Sequence, residues 1–319
     1  MKKMSLRITK ELSILQNEQH DFCMACNYNF HEGDTTHLGY DRDGNGLYVC
    51  DRCSSILDEV VVRYYFTPRS YVIPSKEATL WRYMDLVKYI SLLSKKSLYF
   101  TSAALFNDIF EGAKGICGNK KKWDEHYLTW FEYIVRNPPP GNECTLSSAE
   151  IKIEAERLLS EMNHSGTSQR KWTFINCWHE NDYESEAMWN LYSRDITNAI
   201  AIKTTYSRLY DAIERNPSIK IGKVNYIDYN TRFVGINECY WYKRMSFKHE
   251  NEVRAITSHL QDKDKMGIYV PLNLNILIDE IYISPKSGAW FKELVEDINS
   301  KYSFNFAVKK STIDVQPFY

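Results

Sequence analysis

The sequence predicts an α+β protein in two parts, and three observations carry that prediction. Four of the eight cysteines cluster near the start of the 319-residue chain, as Cys23, Cys26, Cys50 and Cys53. From Leu80 onward, short alternating apolar runs interleave with helical patterns. Between them lies a stretch bracketed by Pro68 and Pro74, the kind of segment where domains part. The expected boundaries are a first module over 1–66, a linker over 67–79 and a larger α+β domain over 80–319.

Composition narrows the function classes. Hydrophobic residues are 44% and charged residues 25%, which is ordinary globular usage. The 40 basic and 41 acidic residues leave a net charge of −1, which excludes a uniformly basic nucleic-acid binder but not a local basic patch. Glycine is scarce, with 13 in the chain, and neither G-x-G-x-x-G nor G-x-x-x-x-G-K-[ST] occurs. That argues against a Rossmann or P-loop nucleotide site. No run approaches the roughly 18 apolar residues of a membrane span. The start, Met1-Lys2-Lys3-Met4, runs into Ile8-Thr9-Lys10-Glu11, which is too polar for a signal peptide core. The expectation is a cytoplasmic protein with no membrane partner.

In the first module, residues 1–20 read as a short helix or an irregular lead-in. The dipeptides Gly33-Asp34, Asp43-Gly44 and Asn45-Gly46 are hairpin chemistry. Ser54 to Phe66 suits a helix leaving the cysteine cluster. The cysteines form C-x₂-C-x₂₃-C-x₂-C, two pairs of soft thiolates on tight knuckles. Four thiolates fit tetrahedral Zn²⁺ in a closed structural site, so the module reads as a zinc ribbon. The Asp41–Gly46 turn accounts for the long spacing between the pairs. Cys117, Cys144, Cys177 and Cys239 are isolated.

In the second domain, strands are expected at 80–83, 97–101, 173–178, 199–204, 220–229, 252–258, 268–271, 278–284 and 306–315. Helices are expected at 85–94, from 106 to 111, across 120–162 with a break at Pro138–Gly141, and at 184–192, 206–215 and 289–301. Asn107-Asp108 followed by Glu111 matches a capping box at a helix start. Glu250 and Glu252 fall two apart on a predicted strand, so they share a face with Lys248 and Arg254. A carboxylate held there can stabilise an oxocarbenium-like transition state, while its neighbour takes a proton. The same pattern also suits a solvated strand face with cross-paired charges. Tyr99 and Ser102 suit a stacking wall and a hydrogen-bond donor, or an ordinary strand. His179-Glu180 reads as a strand-end surface pair or an acid/base dyad.

Several motifs follow in order. They are Leu80-Trp81-Arg82-Tyr83, Leu98-Tyr99-Phe100-Thr101-Ser102 and Phe106-Asn107-Asp108-Ile109-Phe110-Glu111. Then come Met188-Trp189-Asn190-Leu191-Tyr192 and Glu250-Asn251-Glu252-Val253-Arg254. The series resembles a widespread bacterial family of domains of unknown function, over roughly 80–285. That family's signature runs K-Y, L-x-F-S-x-P-x-x-F-N-D-P-F-[DE], M-W-x-x-Y and K-x-x-x-[WY]-x-x-E-x-E-[YV]-R. Here Arg82 replaces the lysine, Ala103 and Ile109 replace the prolines, and the closing lysine is Lys243 or Lys248. The zinc module is an addition to that family's core.

The order of motifs is similar, in turn, to the ADP-ribosyltransferase superfamily. That resemblance implies an enzyme acting on NAD⁺. It implies that Arg82 and Tyr83 orient the dinucleotide and that Tyr99 and Ser102 line the nicotinamide pocket. It makes Glu252 the catalytic carboxylate and Glu250 its helper toward the acceptor. The acceptor would be a nucleic acid or a protein, and the setting a toxin or anti-phage effector with an antitoxin or defence-system partner. Two other readings stay open. One is a zinc-dependent binding protein that uses Lys120-Lys121-Lys122 and Trp123 against nucleic acid, or that binds a protein partner. The other is a nuclease holding Mg²⁺ with Asp108, Glu111, Glu250 and Glu252.

Overall fold

A computed structural model describes residues 22–31, 33–66, 71–138, 144–193, 196–216, 218–236 and 238–319. The lead-in at 1–20, Pro68 and the break at 139–141 lie outside the described residues. The chain divides into two compact units, Met1–Ser70 and Tyr71–Tyr319. Helices and mixed sheets make it α+β.

In the first unit, β1 (Thr35–Tyr40), β2 (Gly46–Cys50) and β3 (Glu59–Tyr65) form an antiparallel sheet in the order β2-β1-β3. The β1–β2 hairpin closes on Asp41, whose carboxylate accepts from the backbone N–H groups of Asp43 and Asn45. The helix expected over 54–66 is not there. A 3₁₀ turn spans Asp51–Ile56, and β3 follows. The run Glu59-Val60-Val61-Val62-Arg63-Tyr64-Tyr65 is β-branched and aromatic, so strand pairing with β1 overrides the mixed apolar spacing. Phe30, Val49, Leu57 and Phe66 pack with Cys23 and Cys50 into a core too small to be worth much without a staple.

The second unit opens with β4 (Thr79–Asp85), α1 (Leu86–Lys95) and β5 (Ser97–Ser102). Then come α2 (Lys120–Arg136), α3 (Ser148–Gln169), β6 (Thr173–Glu180), α4 (Glu186–Tyr192), β7 (Ala199–Thr205) and α5 (Tyr206–Ala212). They are followed by β8 (Lys220–Lys223), β9 (Asn225–Ile227), β10 (Tyr242–Arg244), β11 (Glu252–Ser258), β12 (Gly267–Pro271) and α6 (Leu274–Leu277). The last elements are β13 (Glu280–Ile283), α7 (Ala289–Lys301) and β14 (Val308–Lys310). α3 begins with a true capping box, Ser147 and Glu150. No helix forms at 106–111, because its acids serve elsewhere: Asp108 pairs with Arg244 and Glu111 with Arg254.

Nine strands form a branched sheet. β6 is the fork. Along one edge it pairs with β11 from end to end, Thr173 opposite Ser258 and His179 opposite Glu252. Along the other edge it is shared. β5 pairs only at Phe174 and Ile175, and β4 only at His179 and Glu180. The two strands splay apart, and the middle of that β6 edge has no strand partner.

The segment expected as a linker is shorter than 67–79. Tyr71 is 8% exposed and stacks on Trp241, with ring centroids 4.2 Å apart. The carbonyl of Val72 accepts from the N–H of Lys223. These residues belong to the second unit because an aromatic ring and a backbone edge are buried there. Tyr71→Ala is expected to destabilise the protein by about 3 kcal/mol, the scale of large aromatic truncations. A denaturation midpoint unchanged from wild type would return the segment to linker status.

Candidate functional site

The gap between β4 and β5 is a cleft of about 480 Å³, a size suited to a small-molecule ligand. The empty β6 edge explains its floor. The carbonyl of Cys177, without a strand partner there, accepts from Arg82 Nη1 at 2.7 Å. The same nitrogen donates to Asn176 Oδ1 at 2.9 Å, and Asn176 Nδ2 donates to the carbonyl of Tyr99 at 2.9 Å. Arg82 therefore ties the two arms of the fork together. Among the described residues it meets no carboxylate within ion-pair distance. Burial pushes its pKa down, and its plane lies 5.7 Å from the Trp178 ring centroid.

Arg82, Tyr83, Tyr99, Glu250 and Glu252 all line this one cleft. Ser102 does not. It faces the other side of β5, where its hydroxyl donates to the carbonyls of Arg170 and Lys171. Strand alternation puts Thr101 in the cleft in its place. Tyr99 is 38% exposed and tilts against Tyr269, with centroids 5.1 Å apart. Its ring lies over Gly267 of β12, where a Cβ would come within 2.4 Å of the ring. The hydroxyl of Tyr83 accepts from the N–H of Ser185, which fixes the start of α4 to the cleft wall.

The glutamates meet by a different route from plain strand alternation. Glu250 ends a 3₁₀ turn over Met245–Glu250, Asn251 takes a left-handed φ of 36°, and β11 begins only at Glu252. What unites the two is Lys243 of β10, whose Nζ bonds Glu250 Oε2 and lies 2.9 Å from Glu252 Oε2. Lys248 is exposed and takes no part. Arg254 Nε donates to Glu252 Oε1 at 2.8 Å. Its two terminal nitrogens grip Glu111 at 2.7 and 2.8 Å. The chain sets three carboxylates against two cations, and burial raises the pKa of Glu111 despite the pull of Arg254. Burial works to raise the Glu252 pKa, but Arg254 and Lys243 outweigh it and hold the group at about 2. Glu252 is thus an ionised carboxylate at the cleft wall.

His179 belongs to the site, not to a surface pair. It is 8% exposed and lines the cleft opposite Glu252 in the β6–β11 register. Its Nδ1 lies 2.5 Å from the carbonyl of Glu250. A carbonyl only accepts, so Nδ1 carries the proton and Nε2 is a bare lone pair. Among the described residues that Nε2 is buried with no partner, and so is the indole N–H of Trp178, which also lines the cleft. Burial lowers the His179 pKa, which keeps the ring neutral. The available signal was strand parity, which puts His179 on one face with Ile175 and Cys177. Tyr192 of α4 completes the wall near Glu250.

The four sulfurs of Cys23, Cys26, Cys50 and Cys53 lie within 4.8 Å of one another. Ligands about 2.3 Å from a tetrahedral zinc stand about 3.8 Å apart. Cys26 Sγ and Cys50 Sγ are 3.8 Å apart, far beyond the ~2.05 Å of a disulfide. Burial would raise the Cys23 thiol, yet backbone N–H groups from Cys50, Cys26 and Ala25 bring it down to about 7. The donor set fits a metal such as zinc in a closed, structural site. Metal analysis is expected to return about one zinc per chain. Cys50→Ser is expected to lose it and to melt the first unit, because such modules fold on their metal. Metal-free protein, with Cys50→Ser as stable as wild type, is the contrary result.

The Mg²⁺ constellation does not assemble. Among the described residues, the cysteine quartet is the only group of three or more metal-ligating side chains brought that close. Asp108, Glu111, Glu250 and Glu252 each face a lysine or an arginine instead. No helix of the described residues is long and apolar enough to cross a membrane. No family model matches the chain, and neither a curated protein nor a solved structure matches it.

Proposed function

We propose that the second unit cleaves the nicotinamide–ribose bond of NAD⁺ and passes ADP-ribose to a macromolecular acceptor. The observation that supports this reading most is the convergence of Arg82, Tyr83, Tyr99, Glu250 and Glu252, which are far apart in sequence, on one cleft. Among the described residues Arg82 is a cation without an acidic partner, suited to the diphosphate. Tyr99 and Tyr269 offer aromatic faces to a planar ring. The ionised Glu252 stabilises positive charge growing on the ribose as the C1′–N bond breaks and nicotinamide leaves with the electron pair. The acceptor's oxygen or nitrogen then bonds C1′, and its proton passes to Glu250 or to the bare Nε2 of His179. A toxin or anti-phage effector is the setting this chemistry fits, with zinc holding the first unit as a separate recognition module.

The test is nicotinamide release from NAD⁺ by the full chain, with and without EDTA. Release that survives EDTA is expected, since no catalytic step uses a metal. Mg²⁺-dependent phosphodiester cleavage, or no turnover of NAD⁺ by folded protein in the presence of cell extract, overturns the proposal.

A further inference from the structure

A second cavity, of about 310 Å³, opens in the same unit. One wall is the chain from Ile109 to Lys120. The other is a face of α3 carrying Asn163, Gly166 and Thr167, continued by Arg170 at the helix C-cap. We propose that this cavity binds a phosphate group, held by Lys114, Arg170 and the loop that leads into α2.

The charges are uncompensated. Lys114 Nζ rests 4.9 Å from the ring centroid of Trp123, which is 3% exposed and fixed in the cluster of Tyr127, Leu159 and Met162. Among the described residues, neither Lys114 nor Arg170 has a carboxylate within ion-pair distance. The Nε of Arg170 is buried and donates to nothing. The acid in the wall, Glu111, is spent on Arg254, and Asp124 is spent on Lys120. Burial lowers the Lys114 pKa, a cost that a bound anion removes. A Cβ on Gly166 would come within 2.8 Å of Lys114 Nζ, so the helix is notched where the lysine lies.

The loop adds donors. Its sequence from 112 to 120 is Gly-Ala-Lys-Gly-Ile-Cys-Gly-Asn-Lys. Gly115, Ile116 and Cys117 line the cavity, and among the described residues their backbone N–H groups meet no backbone carbonyl. A 3₁₀ turn over Cys117–Asn119 then enters the 17-residue α2. Asn119 stands at the cap position but turns away, donating to the carbonyls of Tyr229 and Asn230. The first turn holds no acid; Lys120, Lys121 and Lys122 sit there instead. Asp124 and Glu125, one turn on, pair with Lys120 and Lys121, and the helix N-terminus itself favours a negative charge at the cavity mouth. Backbone N–H groups, an arginine fork and a lysine match the several acceptor oxygens of a phosphate better than the two of a carboxylate.

The phosphate can come from a free monoester or from a nucleic-acid backbone, and the test separates them. Binding to the full chain is measured by calorimetry with inorganic phosphate and with AMP. Fluorescence anisotropy follows a short labelled single-stranded DNA. Lys114→Ala and Arg170→Gln are each expected to weaken binding about tenfold or more, the scale of a charge-assisted contact. Lys114→Arg is expected to retain it. Among the described residues, neither Lys114 nor Arg170 donates a side-chain hydrogen bond to the protein, so the variants should fold. DNA bound far more tightly than AMP, and steeply weakened by salt, assigns the site to a nucleic-acid strand. AMP or phosphate bound as tightly as DNA assigns it to a free monoester. Wild-type protein that binds none of the three overturns the proposal, as do variants that bind like wild type. The readout is direct binding, so its failure is separable from any failure of NAD⁺ cleavage.

Discussion

Arg254→Met is expected to destabilise the second unit by about 3–5 kcal/mol, the usual cost of breaking a buried ion pair by removing one partner. Against a total stability of about 5–15 kcal/mol, that leaves little folded protein at the upper end. Arg254 is fully buried and, among the described residues, forms the only ion pair to Glu111, whose side chain is also fully buried. Met fills most of the volume, so packing loss is small and the stranded carboxylate dominates. The double variant Glu111→Gln with Arg254→Met is therefore expected to be more stable than Arg254→Met alone, because it removes the orphaned charge as well. Urea denaturation of the three proteins checks this. Equal midpoints for Arg254→Met and wild type would mean that the Glu111–Arg254–Glu252 chain carries no stability. Acid should act on the same chain. The Glu252 pKa is lowered in the fold, so its contribution is present above about pH 4.5 and is lost as pH falls through about 2.

How much of this was legible in the sequence depends on the range of the cause. Local causes read through. α7 runs over Ala289–Lys301 and β11 over Glu252–Ser258, both as the apolar spacing predicts. The four-cysteine cluster was legible because two C-x-x-C knuckles constrain sulfur positions almost alone. Register-dependent causes did not read through. The alternation argument assigned Glu250 and Glu252 to one strand face, whereas a left-handed Asn251 separates them and Lys243 from another strand rejoins them. Asp108 and Glu111 look like a helix cap locally, but Arg244 and Arg254, more than a hundred residues later, claim both. Ser102 missed the cleft by one step of strand parity. His179 was discounted because a His-Glu dipeptide at a strand end is commonplace. Only the pairing with β11 buries it. The fork in the sheet itself, which makes the cleft, depends on where β5 stops pairing with β6 and β4 starts, and no local pattern encodes that.

Glu252→Gln is expected to lower NAD⁺ turnover by about 10²–10³, the loss typical of a preorganised electrostatic contact. The carboxylate already has two cations against it, Arg254 at 2.8 Å and Lys243 at 2.9 Å. They weaken its field, but they also hold it ionised and immobile, so no reorganisation is needed when charge appears on the ribose. The amide also presents an N–H₂ to one of these donors, so a stability loss of about 1–3 kcal/mol is expected alongside. Turnover must therefore be compared at a temperature where circular dichroism shows both proteins folded. Glu250→Gln separates the roles. Glu250 shares Lys243 but not Arg254, so its loss should spare NAD⁺ hydrolysis more than transfer to the acceptor. A folded Glu252→Gln protein that turns over NAD⁺ like wild type would leave Glu252 as a structural counter-ion for Arg254 and Lys243, and the cleft would then be a binding site without this chemistry.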